Sequence, residues 1–303
     1  MAYSRHTLGV FLGGGLVAAV LAAGPAVAQS EVADETTGAP AELDPETRAF
    51  IIGNAIFVVF HEFGHVLIRD FEVPILGLEE NSADTLAAIT LILADRAEPE
   101  REPRLSEFLA MSALGNILLW QTGLEKSNQE VLYWAKHDVS IRRAARMICL
   151  LYGSDTEEFG WVAGAVDMAE LRADWCEDEF DIAARAVNWV LETYGVPEGT
   201  AAESRSEQIT VRYRRPRNDL QQFIMERLQE WRVIEEVIDF ISHRFVLPDE
   251  AKVVVRDCGS PNAYWDPDYR ELIFCYDLLE GLRKLGDATQ VQQLATRFEA
   301  ARE

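Results

Sequence analysis

Residues 47–71 read TRAFIIGNAIFVVFHEFGHVLIRDF, an apolar run without proline that carries two histidines and a glutamate. The run predicts a buried helix, on which residues four apart lie on one face, so His61 and His65 point the same way. Two neutral imidazoles one helical turn apart can bind a single divalent metal. Glu62 lies beside them, where a carboxylate can take a proton from a metal-coordinated water.

The pattern His-Glu-x-x-His at 61–65 is the signature of zinc metallopeptidases. So short a pattern also arises by chance, and the alternative is a pair of core histidines on a buried helix. Without partners, two histidines and a glutamate in so apolar a helix would cost on the order of several kcal/mol. A bound metal would satisfy all three side chains, so the context favours a metal site. Zinc is the default for a ligand set of nitrogen and oxygen atoms.

A catalytic zinc site takes three protein ligands and leaves one position open. After a break at Pro74 and Gly77, a second helix is predicted to begin at Glu79. Acidic residues in the first turn of a helix stabilise its dipole, and this is the alternative explanation for Glu79 and Glu80. Glu80 and Asp84 lie on one helix face, so if Glu80 binds the metal, Asp84 can accept the spare N–H of a ligand histidine. That pairing makes Glu80, rather than Glu79, the expected third ligand.

A further helix, predicted over 128–152, carries His137, Arg142 and Arg143. A cation or imidazole near the metal could stabilise the oxyanion of a tetrahedral intermediate. His137 and Arg143 are the candidates for this catalytic role, with solvated helix-face charges as the alternative for both. For Arg142 the solvated face is preferred.

The chain has 303 residues, 49% of them hydrophobic and 26% charged, which suits a globular protein with a sizeable core. Its formal net charge of −23 disfavours nucleic acid and anionic membrane surfaces as partners. The composition leaves the oligomeric state open.

Residues 1–28 have the features of a secretory signal. A short basic stretch around Arg5 precedes an apolar run over 8–23, and Ala-Val-Ala at 26–28 offers a cleavage site. The apolar run is interrupted by three glycines and is short for a bilayer span, so no stable span is expected once the signal is removed. The sequence therefore predicts export to the periplasm or the extracellular space.

Export implies an oxidising compartment, and the chain has four cysteines, the even number that disulfides require. Three connectivities are possible. The favoured one joins Cys149 to Cys176 and Cys258 to Cys275, each pair within one segment. Four buried free thiols are the alternative, while a cysteine zinc site is disfavoured because no two cysteines form a C-x-x-C pair.

The predicted fold class is α+β and mainly helical, with a small β-sheet contributed by the C-terminal part. Residues 29–46 read as a flexible acidic N-terminus, 47–194 as the helical metal-binding region, 195–208 as a linker, and 209–303 as a strand–helix–strand–strand–helix region. In finer detail, the patterns predict strands over 209–213, 252–258 and 271–276, one helix over 220–245, a turn-rich connection over 259–267 and a disulfide-tied surface turn over 174–179.

Four stretches carry a family resemblance: IGNAIFVVFHEFGHVLI at 52–68, VPILGLEENSADTLAA at 73–88, HDVSIRRAARMICLLYGSD at 137–155 and CGSPNAYWDPDYRELIFCYDL at 258–278. In content, order and spacing they resemble a family of exported bacterial proteins classed as metallopeptidases. The resemblance covers most of the mature chain and implies a zinc site at the first stretch.

More broadly, His-Glu-x-x-His followed by Glu-x-x-x-Asp is similar to the gluzincin pattern. Carried over residue by residue, this similarity implies three zinc ligands, a general base and an orienting carboxylate: His61, His65 and Glu80, then Glu62, then Asp84.

The chain departs from the gluzincin pattern in two ways. The gap between His65 and Glu80 is short, and the β unit follows the metal helix instead of preceding it. The resemblance thus implies a zincin-like metallopeptidase in permuted order. In that arrangement the C-terminal strands pack against the metal helix, and the 262–276 region offers an edge strand to an extended peptide.

The expected function is that of an exported zinc peptidase that acts on peptide or protein substrates, with Glu62 as general base. One alternative is a zinc-binding scaffold that holds peptides or envelope proteins without cleaving them. A second alternative is a helical binding protein that carries the motif by chance.

Overall fold

The computed structural model of the chain describes residues 43–101, 104–126, 138–196 and 208–286, all of which belong to one compact unit. The predicted signal at 1–28, most of the linker at 195–208 and His137 lie outside these residues. The elements in chain order are α1 (Pro45–Asp70), α2 (Glu79–Ala97), α3 (Leu105–Lys126), α4 (Ser140–Ser154), α5 (Gly160–Ala165), α6 (Glu170–Ala173), α7 (Cys176–Tyr194), β1 (Ile209–Tyr213), α8 (Asp219–Trp231), α9 (Val233–Arg244), β2 (Ala251–Arg256), β3 (Ala263–Asp266), β4 (Glu271–Cys275) and α10 (Tyr276–Gly286).

Helix α1 is the centre of the molecule. It packs against α2, α3, α9 and α10 and against strands β3 and β4, which explains why its sequence is apolar on nearly every side. It begins at Pro45, inside the segment expected to be flexible to 46, because the Asp44 side chain accepts a hydrogen bond from Thr47 N at 2.8 Å and caps the first turn.

Helix α1 is also long and apolar enough to cross a bilayer, and within the described part of the chain it is the one helix that meets this test. Of its most apolar 18-residue window, however, 83% is buried inside the fold. Its apolar side chains are therefore covered by the neighbouring elements.

The strands form a small mixed sheet at the C-terminal part of the chain, in the order β1-β2-β4-β3. Strands β1, β2 and β4 are parallel, and β3 runs antiparallel to β4 at the edge. Strand β3 lies within the stretch 259–267 that was expected to be a turn-rich connection. Turn-forming residues flank this four-residue strand on both sides, so the sequence pattern does not indicate it. Its backbone hydrogen bonds come from pairing with β4.

The single helix expected over 220–245 is instead two helices. The chain breaks at Arg232, which adopts a left-handed conformation with φ of 52°. Helix α8 packs against α10, whereas α9 packs against α1 and β1, so the two halves have different packing partners. Without a glycine or proline at the break, the sequence carries no local signal for it.

Both expected disulfides are formed, Cys149–Cys176 and Cys258–Cys275. The first joins α4 to the beginning of α7, so the stretch 174–179 is mostly the first turn of a helix and not a surface turn. Its acidic residues suit the positive end of the helix dipole. Two disulfides are typical of proteins that fold in an oxidising, exported environment.

Candidate metal centre

Three buried side chains from two helices converge on one point. His61 and His65 come from successive turns of α1, and Glu80 comes from the first turn of α2. Glu80 Oε2 lies 3.3 Å from His61 Nε2 and 3.4 Å from His65 Nε2. One ligand atom from each residue can be chosen so that all three lie within 4.8 Å of one another. The structure thus brings together the three metal ligands that the sequence predicts.

Close contact between α1 and α2 makes this convergence possible. Gly64 of α1 faces Ala83 of α2, and a Cβ added at Gly64 would lie 3.0 Å from Ala83 Cα. A larger side chain at either position would push the helices apart. The glycine inside the His-Glu-x-x-His motif therefore helps to bring Glu80 within reach of the two imidazoles.

His61 is oriented by a carboxylate that is itself held by an arginine. Asp84 Oδ1 lies 2.8 Å from His61 Nδ1, as expected from the sequence. Arg143 donates to both carboxylate oxygens of Asp84, from Nε at 2.8 Å and from Nη2 at 2.7 Å. Burial would raise the pKa of Asp84, but the hydrogen bonds from His61 and Arg143 outweigh it and lower the pKa to about 2.

His65 has a second arrangement of the same kind. Glu79 Oε1 lies 2.8 Å from His65 Nδ1, and Arg69 donates to both Glu79 oxygens, from Nε at 3.0 Å and from Nη2 at 2.9 Å. Burial would raise the pKa of Glu79, but the contacts with His65 and Arg69 lower it. This role of Glu79 was not predicted from the sequence. One signal was available, since Arg69 follows His65 by four residues on the same helix face.

The donor set fits a divalent metal. A carboxylate can only accept, so Asp84 and Glu79 require each histidine to carry its proton on Nδ1 and leave the Nε2 lone pair free. For metal–ligand bonds of about 2.0–2.1 Å, two ligand atoms of a tetrahedral site lie about 3.3 Å apart. The observed distances from Glu80 Oε2 to the two Nε2 atoms, 3.3 and 3.4 Å, match that separation.

Without a metal, two neighbouring carboxylates favour the protonated form of His61. Burial lowers the pKa of His61, but the hydrogen bonds with Asp84 and Glu80 outweigh it and raise the pKa to about 9. A metal that binds between His61 and Glu80 replaces this proton, because the ligand histidine must be neutral.

A cavity of about 270 Å³ opens beside the metal ligands. Its lining includes His65, Glu80 and Glu62 from the two helices, and the stretch 262–265 with Pro267, which includes most of edge strand β3. Glu62 is only 5% exposed, and it borders the same space as the ligands. The expected base and two of the three expected ligands, His65 and Glu80, therefore face one cavity.

The two candidates for oxyanion stabilisation have different outcomes. His137 lies outside the described residues. Arg143 pairs with Asp84 and is not among the residues that line the cavity, and its expected role near the oxyanion stays a prediction. Arg142 is exposed, as expected for a solvated helix face.

A buried His-His-Glu group beside a cavity-facing glutamate defines a candidate metal-dependent hydrolase site. A comparison with protein families agrees with this class. The chain belongs to the family described as "Putative metallopeptidase", whose model matches residues 26–191 and 213–303. No match was found among curated proteins or among solved structures.

Proposed function

We propose that the protein is an exported zinc-dependent peptidase that hydrolyses peptide bonds in peptide or protein substrates. The observation that carries this proposal is the shared cavity. Glu62 borders the same space as His65 and Glu80, while the Nδ1 atoms of both candidate ligand histidines are occupied by carboxylates. Family membership points to the same reaction class.

The roles of the residues follow from their positions. His61, His65 and Glu80 would hold the zinc, which would act as a Lewis acid that activates water and polarises a carbonyl group. Glu62 accepts the proton of the attacking water and then delivers it to the leaving amine. Asp84 and Glu79 hold the imidazoles in the orientation and tautomer that the metal requires.

The outer edge of β3, which pairs with no further strand among the described residues, is the proposed site for the substrate backbone. Cys275 N donates to Asn262 O at 3.2 Å, so by alternation the next hydrogen-bonded pair with β4 is Tyr264–Ile273. Ala263 and Trp265 then direct their backbone N–H and C=O groups away from β4. An extended peptide can pair with these groups and lie across the cavity from Glu62. This is the zincin-like arrangement in permuted order.

The ligand atoms indicate the identity of the metal, and the disulfides and the signal features indicate the cellular location of the protein. Two imidazole nitrogens and one carboxylate oxygen are a ligand set found in catalytic zinc sites. The two disulfides and the signal features of residues 1–28 support a periplasmic or extracellular location.

Metal content and proteolysis of the wild type and of Glu62→Gln test the proposal together. We expect about one zinc per chain in both proteins, because Glu62 is not a ligand, and a loss of cleavage of an unfolded protein by about 10²–10⁴-fold in the variant. Loss of zinc along with activity would make Glu62 structural. Wild-type protein with one zinc per chain that cleaves no unfolded protein would favour the non-catalytic scaffold instead.

A further inference from the structure

One arginine joins the metal helix to the edge strand of the sheet. Arg270 lies at the end of the turn between β3 and β4, and Asp70 is the last residue of α1. Arg270 Nη1 donates to Asp70 Oδ1 at 3.1 Å, and Nη2 donates to Asp70 Oδ2 at 2.7 Å. A pair of parallel bonds between a guanidinium and a carboxylate fixes direction as well as distance.

The same guanidinium contacts two more parts of the sheet region. Its Nε donates to Glu250 O and its Nη2 to Asp249 O, both at 2.9 Å, just before β2 begins. It also lies 5.6 Å from the centre of the Trp265 ring, and Trp265 lines the metal cavity. Arg270 therefore connects the end of α1, the start of β2 and the cavity wall.

The backbone at Arg270 is unusual for an arginine. Its φ of 53° lies in the left-handed region, where glycine is the default residue. The turn has its own support, because the Asp266 side chain accepts hydrogen bonds from Asp268 N at 3.1 Å and Tyr269 N at 3.3 Å. The arginine side chain is thus not needed to shape the turn, and its contacts offset an unfavourable backbone conformation.

We infer that Arg270 is a positioning residue, which holds β3 and Trp265 at a fixed separation from α1 and so sets the width of the cavity beside the metal ligands. The consequence for catalysis rests on the proposed function, since the occupant of the cavity is then an extended peptide segment. The consequence for the strand itself does not depend on activity.

Amide hydrogen exchange tests the strand. In Arg270→Gly the backbone strain is relieved and the guanidinium removed, and in Asp70→Asn only the charge of its partner is lost. We expect the amides of Tyr264 and Ile273, the hydrogen-bonded pair between β3 and β4, to exchange roughly tenfold faster or more in both variants, with the amides of 55–65 unchanged. Arg232→Gly is the matched control, because Arg232 has the same backbone conformation (φ 52°) and does not line the cavity. Equal protection of β3 in the wild type and both variants overturns the inference.

Cleavage of fluorescein-labelled casein by the zinc-loaded proteins tests the consequence. We expect KM to rise about tenfold in Arg270→Gly and Asp70→Asn, with a smaller change in kcat and one zinc per chain retained. A wild type that cleaves casein with the same KM as both variants contradicts the inference alone. A zinc-loaded wild type without activity contradicts the proposed function, and the exchange measurement then decides on Arg270.

Discussion

At the scale of single residues, each of the two histidines is held by a carboxylate that pairs with an arginine, and the two pairs differ in burial. The side chain of Asp84 is 4% exposed and that of Arg143 is 21% exposed, whereas Glu79 is 22% and Arg69 50% exposed. Water can partly replace the hydrogen bonds of the Glu79–Arg69 pair, but it has much less access to the Asp84–Arg143 pair. The support of His61 is therefore part of the core, while the support of His65 forms part of the cavity wall.

Glu79→Gln tests the support of His65. The amide can turn its NH₂ toward Nδ1, so the tautomer that presents Nε2 to the metal is no longer required. We expect zinc affinity to fall about tenfold, measured by competition with a chromogenic chelator, with little change in unfolding free energy. Glu192→Gln, an exposed substitution on α7, is the control. Unchanged affinity in Glu79→Gln would show that His65 is oriented by other contacts.

At the scale of elements, the site depends on how closely two helices approach. The ligands on α1 are set by helical periodicity, but the distance to Glu80 is set by the contact between Gly64 and Ala83. Edge strand β3 completes the cavity from a part of the chain about 200 residues away, and the Arg270–Asp70 pair joins these parts. The centre is thus assembled between elements and not within one of them.

Gly64→Val tests the helix contact. The added side chain must enter the space of Ala83, so α1 and α2 separate and Glu80 moves away from the imidazoles. We expect a loss of about 2 kcal/mol in unfolding free energy, measured by urea denaturation, together with weaker zinc binding. Gly164→Val on α5 is the control for zinc binding, because a Cβ there meets nothing within 4 Å. Wild-type zinc affinity in Gly64→Val would mean that helix spacing does not control the site.

At the scale of the whole molecule, each of the two disulfides joins two segments of the chain that lie in different elements. Cys149–Cys176 ties α4, which carries Arg143, to α7, and Cys258–Cys275 ties the loop after β2 to the end of β4. Both bonds close short loops, with sequence separations of 27 and 17 residues. They therefore constrain the unfolded chain as well as the folded one.

Replacement of Cys258 and Cys275 by serine tests this contribution. Loss of a loop constraint of this length is expected to lower the unfolding free energy by about 3 kcal/mol, measured by guanidinium denaturation under non-reducing conditions. The Cys149–Cys176 bond is retained and provides an internal check on oxidation. Unchanged stability of the double variant would indicate that packing around β4 alone holds this region.

Sequence by itself was enough to predict the helix that carries His61 and His65, the acidic face of α2 with Glu80 and Asp84, and the favoured pairing of the cysteines. These features are local, because helical periodicity places residues four apart on one face and short separations favour nearby cysteines. The family resemblance was confirmed by the family match.

Tertiary structure alone decided the rest. The pairing of Glu79 with His65, the position of Arg143 behind Asp84, the break at Arg232 and the link from Arg270 to Asp70 all depend on how separate elements pack. Periodicity says which side of a helix is buried, but it does not say which neighbour covers that side or at what distance. Long-range contacts such as these are set by the packing of the whole core, so they become visible only when the elements are placed together.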